Sequence, residues 1–115
     1  MILKAISIHQ PFASLIAQGT KTIETRSWKT EYRGDLLILS TQKPKCPNLK
    51  CGYALCIVDL YGCRPMNKND EVKACCEMYA GAWSWLLRNL RVIEPVPCRG
   101  GQRIFTVDIE IRQKE

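Results

Sequence analysis

The sequence predicts a mainly β domain of five or six short strands with one early and one mid-chain helix, closed or nearly closed into a small barrel. Three observations carry this. Short apolar or alternating runs recur along the chain, separated by Gly, Pro and Asp turn signals. Helical spacing of apolar residues is confined to two brief segments. The 115 residues, 46% hydrophobic and 24% charged, suffice for one core and not for two, so residues 1–115 are expected to form a single domain. Closure is how short strands avoid exposed edges.

In chain order, residues 3–8 alternate Leu3, Ala5 and Ser7 with Lys4, Ile6 and Ile8, the mixed pattern of a strand packed on both sides. Pro11 is well placed at a helix start, where its missing N–H has no intrahelical partner. Phe12, Leu15 and Ile16 follow at helical spacing, so residues 11–18 read as a short helix whose apolar stripe belongs to the core or to plain surface. Gly19 ends it, because glycine takes the left-handed turn past a helix. Lys21 then sits at a corner. In the extended run beyond it, Thr22, Glu24, Arg26 and Trp28 share one face and Ile23, Thr25 and Ser27 the other. Tyr32-Arg33-Gly34-Asp35 is a turn, and Leu36-Leu37-Ile38-Leu39 a central strand.

Residues 42–50, with Pro44 and Pro47, read as a loop, and residues 52–60 as a buried strand in which Cys56 is a small core residue. Residues 67–79 are helical, with Val72, Cys75, Cys76 and Tyr79 on one stripe. Residues 83–93 form the next strand, followed by turns at Glu94-Pro95-Val96-Pro97 and Gly100-Gly101. In residues 103–111, Phe105, Val107, Ile109 and Ile111 give a last strand one apolar face. There is no internal repeat, linker or low-complexity run.

The opening apolar residues lack the basic region and cleavage site of a signal peptide, and no window approaches the roughly 20 apolar residues of a membrane span. A soluble, cytoplasmic protein without membrane contact is expected. The seven cysteines are odd in number and lack the paired spacing of zinc ligands; free thiols, no metal and no cofactor are expected. The formal charge is +6. Its surplus gathers in an acid-free cluster, Lys43, Lys45 and Lys50, and in a second, Arg88, Arg91, Arg99 and Arg103, broken only by Glu94. Such clusters attract polyanions, although an ordinary solvated surface has the same composition.

The densest charge follows the helix-ending glycine, in Gly19-Thr20-Lys21-Thr22-Ile23-Glu24-Thr25-Arg26-Ser27-Trp28. An arginine holds phosphate by a bidentate fork and a lysine as a point charge. A glutamate accepts hydrogen bonds from a base's exocyclic amine, and Trp28 or Trp85 offers a stacking surface. Together these residues are suited to a splayed-out nucleotide. The structural alternative is that Glu24 and Arg26 form an internal ion pair that orders the barrel mouth while both tryptophans are core. His9, the one histidine, is kept as a secondary site residue.

Ile8-His9-Gln10-Pro11-Phe12-Ala13, the G-x-K-x-x-E-x-R run with its Ser27-Trp28 extension, and Tyr32-Arg33-Gly34 together resemble the ASCH domain family. The resemblance continues through the glycine-led strand from Gly52, the Trp85-Leu86-Leu87-Arg88-Asn89 segment and the closing strand, so it spans essentially the whole chain. It implies a PUA-like β-barrel with a cleft beside the first helix, lined by Lys21, Glu24 and Arg26, with Ser27, Trp28, Arg33 and Trp85 around them. Among relatives, small bacterial hydrolases of N4-acylcytidine use a lysine and a threonine in this motif. Glu24 stands at the threonine's position, and Glu71 or Glu77 are the only candidates for those enzymes' further glutamate.

The resulting expectation is a nucleic-acid-binding module for RNA, a single strand or a modified nucleotide. The first alternative is a small hydrolase of a modified nucleoside or of RNA, with Lys21 and Glu24 as its catalytic pair. The second is a protein-interaction adaptor, which the cointegrator context of some relatives motivates.

Overall fold

The computed structural model of the chain describes residues 1–114. Strand β1 (Ile2–Ile8) pairs in parallel with β3 (Gly34–Ser40) and antiparallel with β6 (Ile104–Asp108). From β3 the sheet continues antiparallel through β4 (Tyr53–Pro65) and β5 (Trp83–Pro97) to β2 (Ile23–Arg26). The order β2-β5-β4-β3-β1-β6 leaves β2 and β6 as edges. The mainly β architecture is thus as expected, as a curled half-barrel.

The curl comes from the long β4–β5 pair, whose register shifts between Ala54 and Cys56, Ile57 and Asp59, and Leu60 and Gly62. Each extra residue bends and twists the ladder, so strands of 13 and 15 residues wrap instead of running flat. Both exceed their predicted length. Glu94-Pro95-Val96-Pro97, expected as a turn, lies inside β5, with Val96 opposite Ala54 and Pro97 opposite Tyr53. Proline is compatible with a strand where no ladder bond needs its absent N–H.

The sheet is buried on both faces, as the pattern of β1 predicts. Ile6, Ile8, Leu36, Ile38, Val58 and Leu60 pack on one side with Trp85 and with Ala13 and Ile16 of helix α1 (Phe12–Ala17). Ala5, Leu37, Leu39, Ala54, Ile57 and Ile93 face the other side, closed by Leu3, Phe105, Val107, Ile109 and Ile111. Helix α1 ends as predicted, with Gly19 at φ +82° turning the chain toward β2.

The helical segment expected over 67–79 is much shorter. A 3-10 turn (Lys68–Asp70) leads into a single turn, α2 (Glu71–Ala74), which stops because Cys75 takes the left-handed conformation at φ 57°. The stripe predicted there does not form: Val72 is 86% exposed, and Ala74 is the buried residue. Cys56 is fully buried between strands, and burial pushes its thiol up to about 12. All seven cysteines are free. Among the described residues, no helix is long and apolar enough to cross a membrane.

Candidate functional site

Lys21, Glu24 and Arg26 converge in one place. The turn after Gly19 carries Lys21 inward, where its side chain is 2% exposed, and β2 presents Glu24 and Arg26 on one face. Lys21 Nζ donates to the Ala74 carbonyl at the end of α2 and lies 3.6 Å from Glu24 Oε1 and 5.2 Å from the centre of the Phe12 ring. Arg26 Nε donates to Glu24 Oε2 at 3.0 Å, and its Nη2 donates to the Ser7 carbonyl at 2.8 Å. A single carboxylate therefore stands between two cations, leaving one positive charge over.

The internal Glu24–Arg26 pair is thus present, and Lys21 extends it to a triad in which Lys21 and Glu24 are buried and Arg26 is half-buried. Taking such charges out of water costs about what their attraction returns, and apolar replacements are often as stable. Fold stability is a poor explanation for the cluster. It lines a cavity of about 540 Å³, within the range of about 300–1,000 Å³ common for small-molecule sites. Ser7, Ile8, His9 and Phe12 form one wall, and Thr25, Ser27, Cys76 and Tyr79 complete the lining.

Of the residues singled out by sequence, Lys21, Glu24, Arg26, Ser27 and His9 are in this cavity. His9 is exposed, and its Nδ1 is 2.9 Å from Thr41 Oγ1. Three others lie elsewhere. Trp85 is fully buried in the core, and its indole N–H donates to the Trp28 carbonyl at 3.2 Å, which leaves no ring face for a base. Trp28 meets Trp85 edge to face at 4.7 Å, and its ring carries the Arg103 guanidinium at 3.8 Å. β2 ends at Arg26, so the alternation that put Trp28 beside Glu24 no longer applies two residues on. Arg33 is exposed and donates at 2.8 Å to the carbonyls of Thr30 and Tyr32, bracing its own turn.

Glu71 and Glu77 do not line the cavity; the Glu71 carboxylate instead accepts from the Met78 N–H at 2.8 Å. The aromatic wall is made by Phe12 and by Tyr79, which is 43% exposed at the rim. Both were assigned to apolar stripes in the sequence. Only the early end of α2, which turns residues 76–79 back over β2, brings Tyr79 to the site. Residues of the second basic cluster part company: Arg88 pairs with Asp59 at 3.0 Å and Arg91 with Asp35 at 2.8 Å, while Arg99 and Arg103 lie on the loop before β6.

A family model described as the ASCH domain matches residues 6–97, which include every one of these cavity residues. The chain belongs to the ASCH domain family. This ASCH domain is 50% identical to activating signal cointegrator 1 of Homo sapiens over 42 residues, 36% of the chain and 7% of that protein. It is also 50% identical to activating signal cointegrator 1 of Mus musculus over 132 aligned positions, 94% of the chain and 23% of that protein. The chain thus spans less than a quarter of the length of these relatives. The crystal structure of ASCH from Zymomonas mobilis has a TM-score of 0.70 at 18% identity, covering 91% of this chain and 87% of that one. A mutant form of the same Zymomonas mobilis protein gives 0.66 at 16% identity over 91% and 89%. These likenesses show the fold, the curled half-barrel of an ASCH domain.

Proposed function

We propose that this ASCH domain is a nucleic-acid-binding module that seats one nucleotide of an RNA or other single strand in the Lys21–Glu24–Arg26 cavity. The observation that supports this most is the composition of the cavity: two cations around one carboxylate, with aromatic rings in the wall. The excess charge favours a phosphate, which Arg26 meets through the guanidinium N–H groups not engaged by Glu24 and Ser7. Glu24 oxygens accept from a base's amino or imino group, and Tyr79 supplies a stacking face. Titrating short single-stranded RNAs at several salt concentrations tests the reading. Affinity is expected to fall with log salt at a slope of about −0.7 per phosphate contact; absence of binding to any RNA or DNA pool at low salt would refute it.

A second reading, hydrolysis of a modified nucleoside, rests on Lys21 Nζ lying 3.6 Å from Glu24 Oε1 in the same cavity. There Glu24 would act as general acid or base and Lys21 as its electrostatic partner. Both groups are also engaged by other protein partners, an arrangement suited to holding and orienting. Turnover of acylated nucleosides or short RNAs above that of a Lys21→Ala, Glu24→Ala double variant is the outcome that favours catalysis.

A further inference from the structure

We propose that the cavity is the first of two subsites, and that the neighbouring groove between residues 41–52 and the loop before β6 takes the phosphate of the adjoining nucleotide. This rests on the nucleotide reading of the cavity. The ligand is thereby specified as a continuous single strand, in preference to a free nucleoside or mononucleotide.

Three observations carry the inference. First, the two hollows are contiguous. Ser7 lines both, and His9 of the cavity is bonded to Thr41 of the groove at 2.9 Å. The groove measures about 680 Å³ and is walled by Thr41, Gln42, Cys98, Arg99 and the Gly100-Gly101 pair.

Second, the glycine pair lays bare main chain against β1. A Cβ at Gly100 would fall 2.7 Å from Ser7 Oγ, and one at Gly101 2.8 Å from the Phe105 ring. The Gly101 N–H donates to Ser7 Oγ at 3.3 Å. Close backbone approach of this kind is what glycine permits; it packs the loop onto β1 and β6 and leaves its main chain lining the groove.

Third, the flanking segments hold uncompensated charge. Residues 41–52 and 95–107 contain no Asp or Glu. The Cys98 N–H donates to the Gly52 carbonyl at 3.0 Å, tying the two segments side by side. They carry Lys43, Lys45, Lys50, Arg99 and Arg103, and among the described residues none of these five pairs with a carboxylate. Arg64, Arg88 and Arg91 are paired in that way. Arg99 lines the groove itself, and the other four lie on the two segments that wall it, where a polyanion's next phosphate would follow the cavity.

The test compares a nucleoside monophosphate with a single-stranded hexaribonucleotide, using the full chain and a Lys43→Ala, Lys45→Ala, Arg99→Ala triple variant. The wild type is expected to bind the hexamer at least tenfold more tightly. The triple variant is expected to lose about tenfold on the hexamer, with a shallower salt slope, and nothing on the monophosphate. A control removing Lys68, Lys73 and Arg88, an equal change of charge away from the groove, should alter hexamer affinity less than twofold. All replaced side chains are exposed, so unchanged melting is expected. If the monophosphate binds but hexamer affinity is no higher, or the triple variant behaves like the control, the second subsite is wrong and the cavity reading stands. If the wild type binds neither ligand, both fail.

Discussion

Asp70 and Glu24 are both buried carboxylates gripped by an arginine from a strand, yet their surroundings are built to opposite ends. Asp70 accepts two bonds from Arg64 at 2.6 and 2.8 Å, one from Ser84 Oγ at 2.8 Å and one from the Asn67 N–H at 3.1 Å. One anion meets one cation, and neutral donors complete its shell. The Arg64 fork, followed by these other bonds, holds the Asp70 carboxyl well below the usual carboxylate range. This cluster staples the 3-10 turn and α2 to β4 and β5. Glu24 has two cations and faces a cavity, so under the proposed function its surroundings retain charge and donors for a ligand. The difference separates a clasp from a receptacle. The clasp serves the receptacle, because α2 supplies the Ala74 carbonyl that holds Lys21.

Substitutions can break this contrast. The largest effect is expected for Glu24→Ala, which leaves Lys21 charged, 2% exposed and short of its carboxylate; denaturant melts should show a loss of about 3–5 kcal/mol. Asp70→Asn should cost about 1–3 kcal/mol, since the Arg64 end of the pair is half in water. Its sign with pH is fixed by the lowered carboxyl. The wild-type advantage is complete above the ordinary carboxylate range near pH 4 and shrinks as pH falls below it, which melting at several pH values will show. The folded fraction of this variant should bind RNA as the wild type does.

At the other two cavity residues, Arg26 and Tyr79, binding should suffer more than stability. Arg26→Ala should cost only about 1 kcal/mol of stability but at least tenfold in affinity for a single-stranded oligonucleotide, with a shallower salt slope. Tyr79→Ala should leave the melt unchanged and weaken binding about fivefold to tenfold, the lower end of base stacking on an aromatic ring. Equal loss of stability and affinity in all four variants would erase the distinction.

Much of the fold was legible because its signals are local. Alternation marked β1 and β6, the continuous run 36–39 marked the central β3, and Gly19 marked the turn that delivers Lys21. The charged members of the site were legible for the same reason, since two of them alternate along one short strand. What was not legible depends on contacts distant in sequence. Trp28 lies past the end of β2 and is captured by Trp85, 57 residues away in sequence. Val72 and Tyr79 share a helical spacing, but α2 ends at Ala74, so one is in solvent and the other reaches the cavity. Pro95 and Pro97 carry turn chemistry, yet β4 captures their segment as strand.

The central claim is that the cavity around Lys21, Glu24 and Arg26 holds a nucleotide. A crystal structure of the chain soaked with a nucleoside monophosphate or a short single-stranded RNA tests it most directly. Density against the Arg26 guanidinium and Glu24 carboxylate, with a base over Tyr79, is the predicted result. An oligonucleotide bound elsewhere on the surface, with this cavity empty, would contradict it.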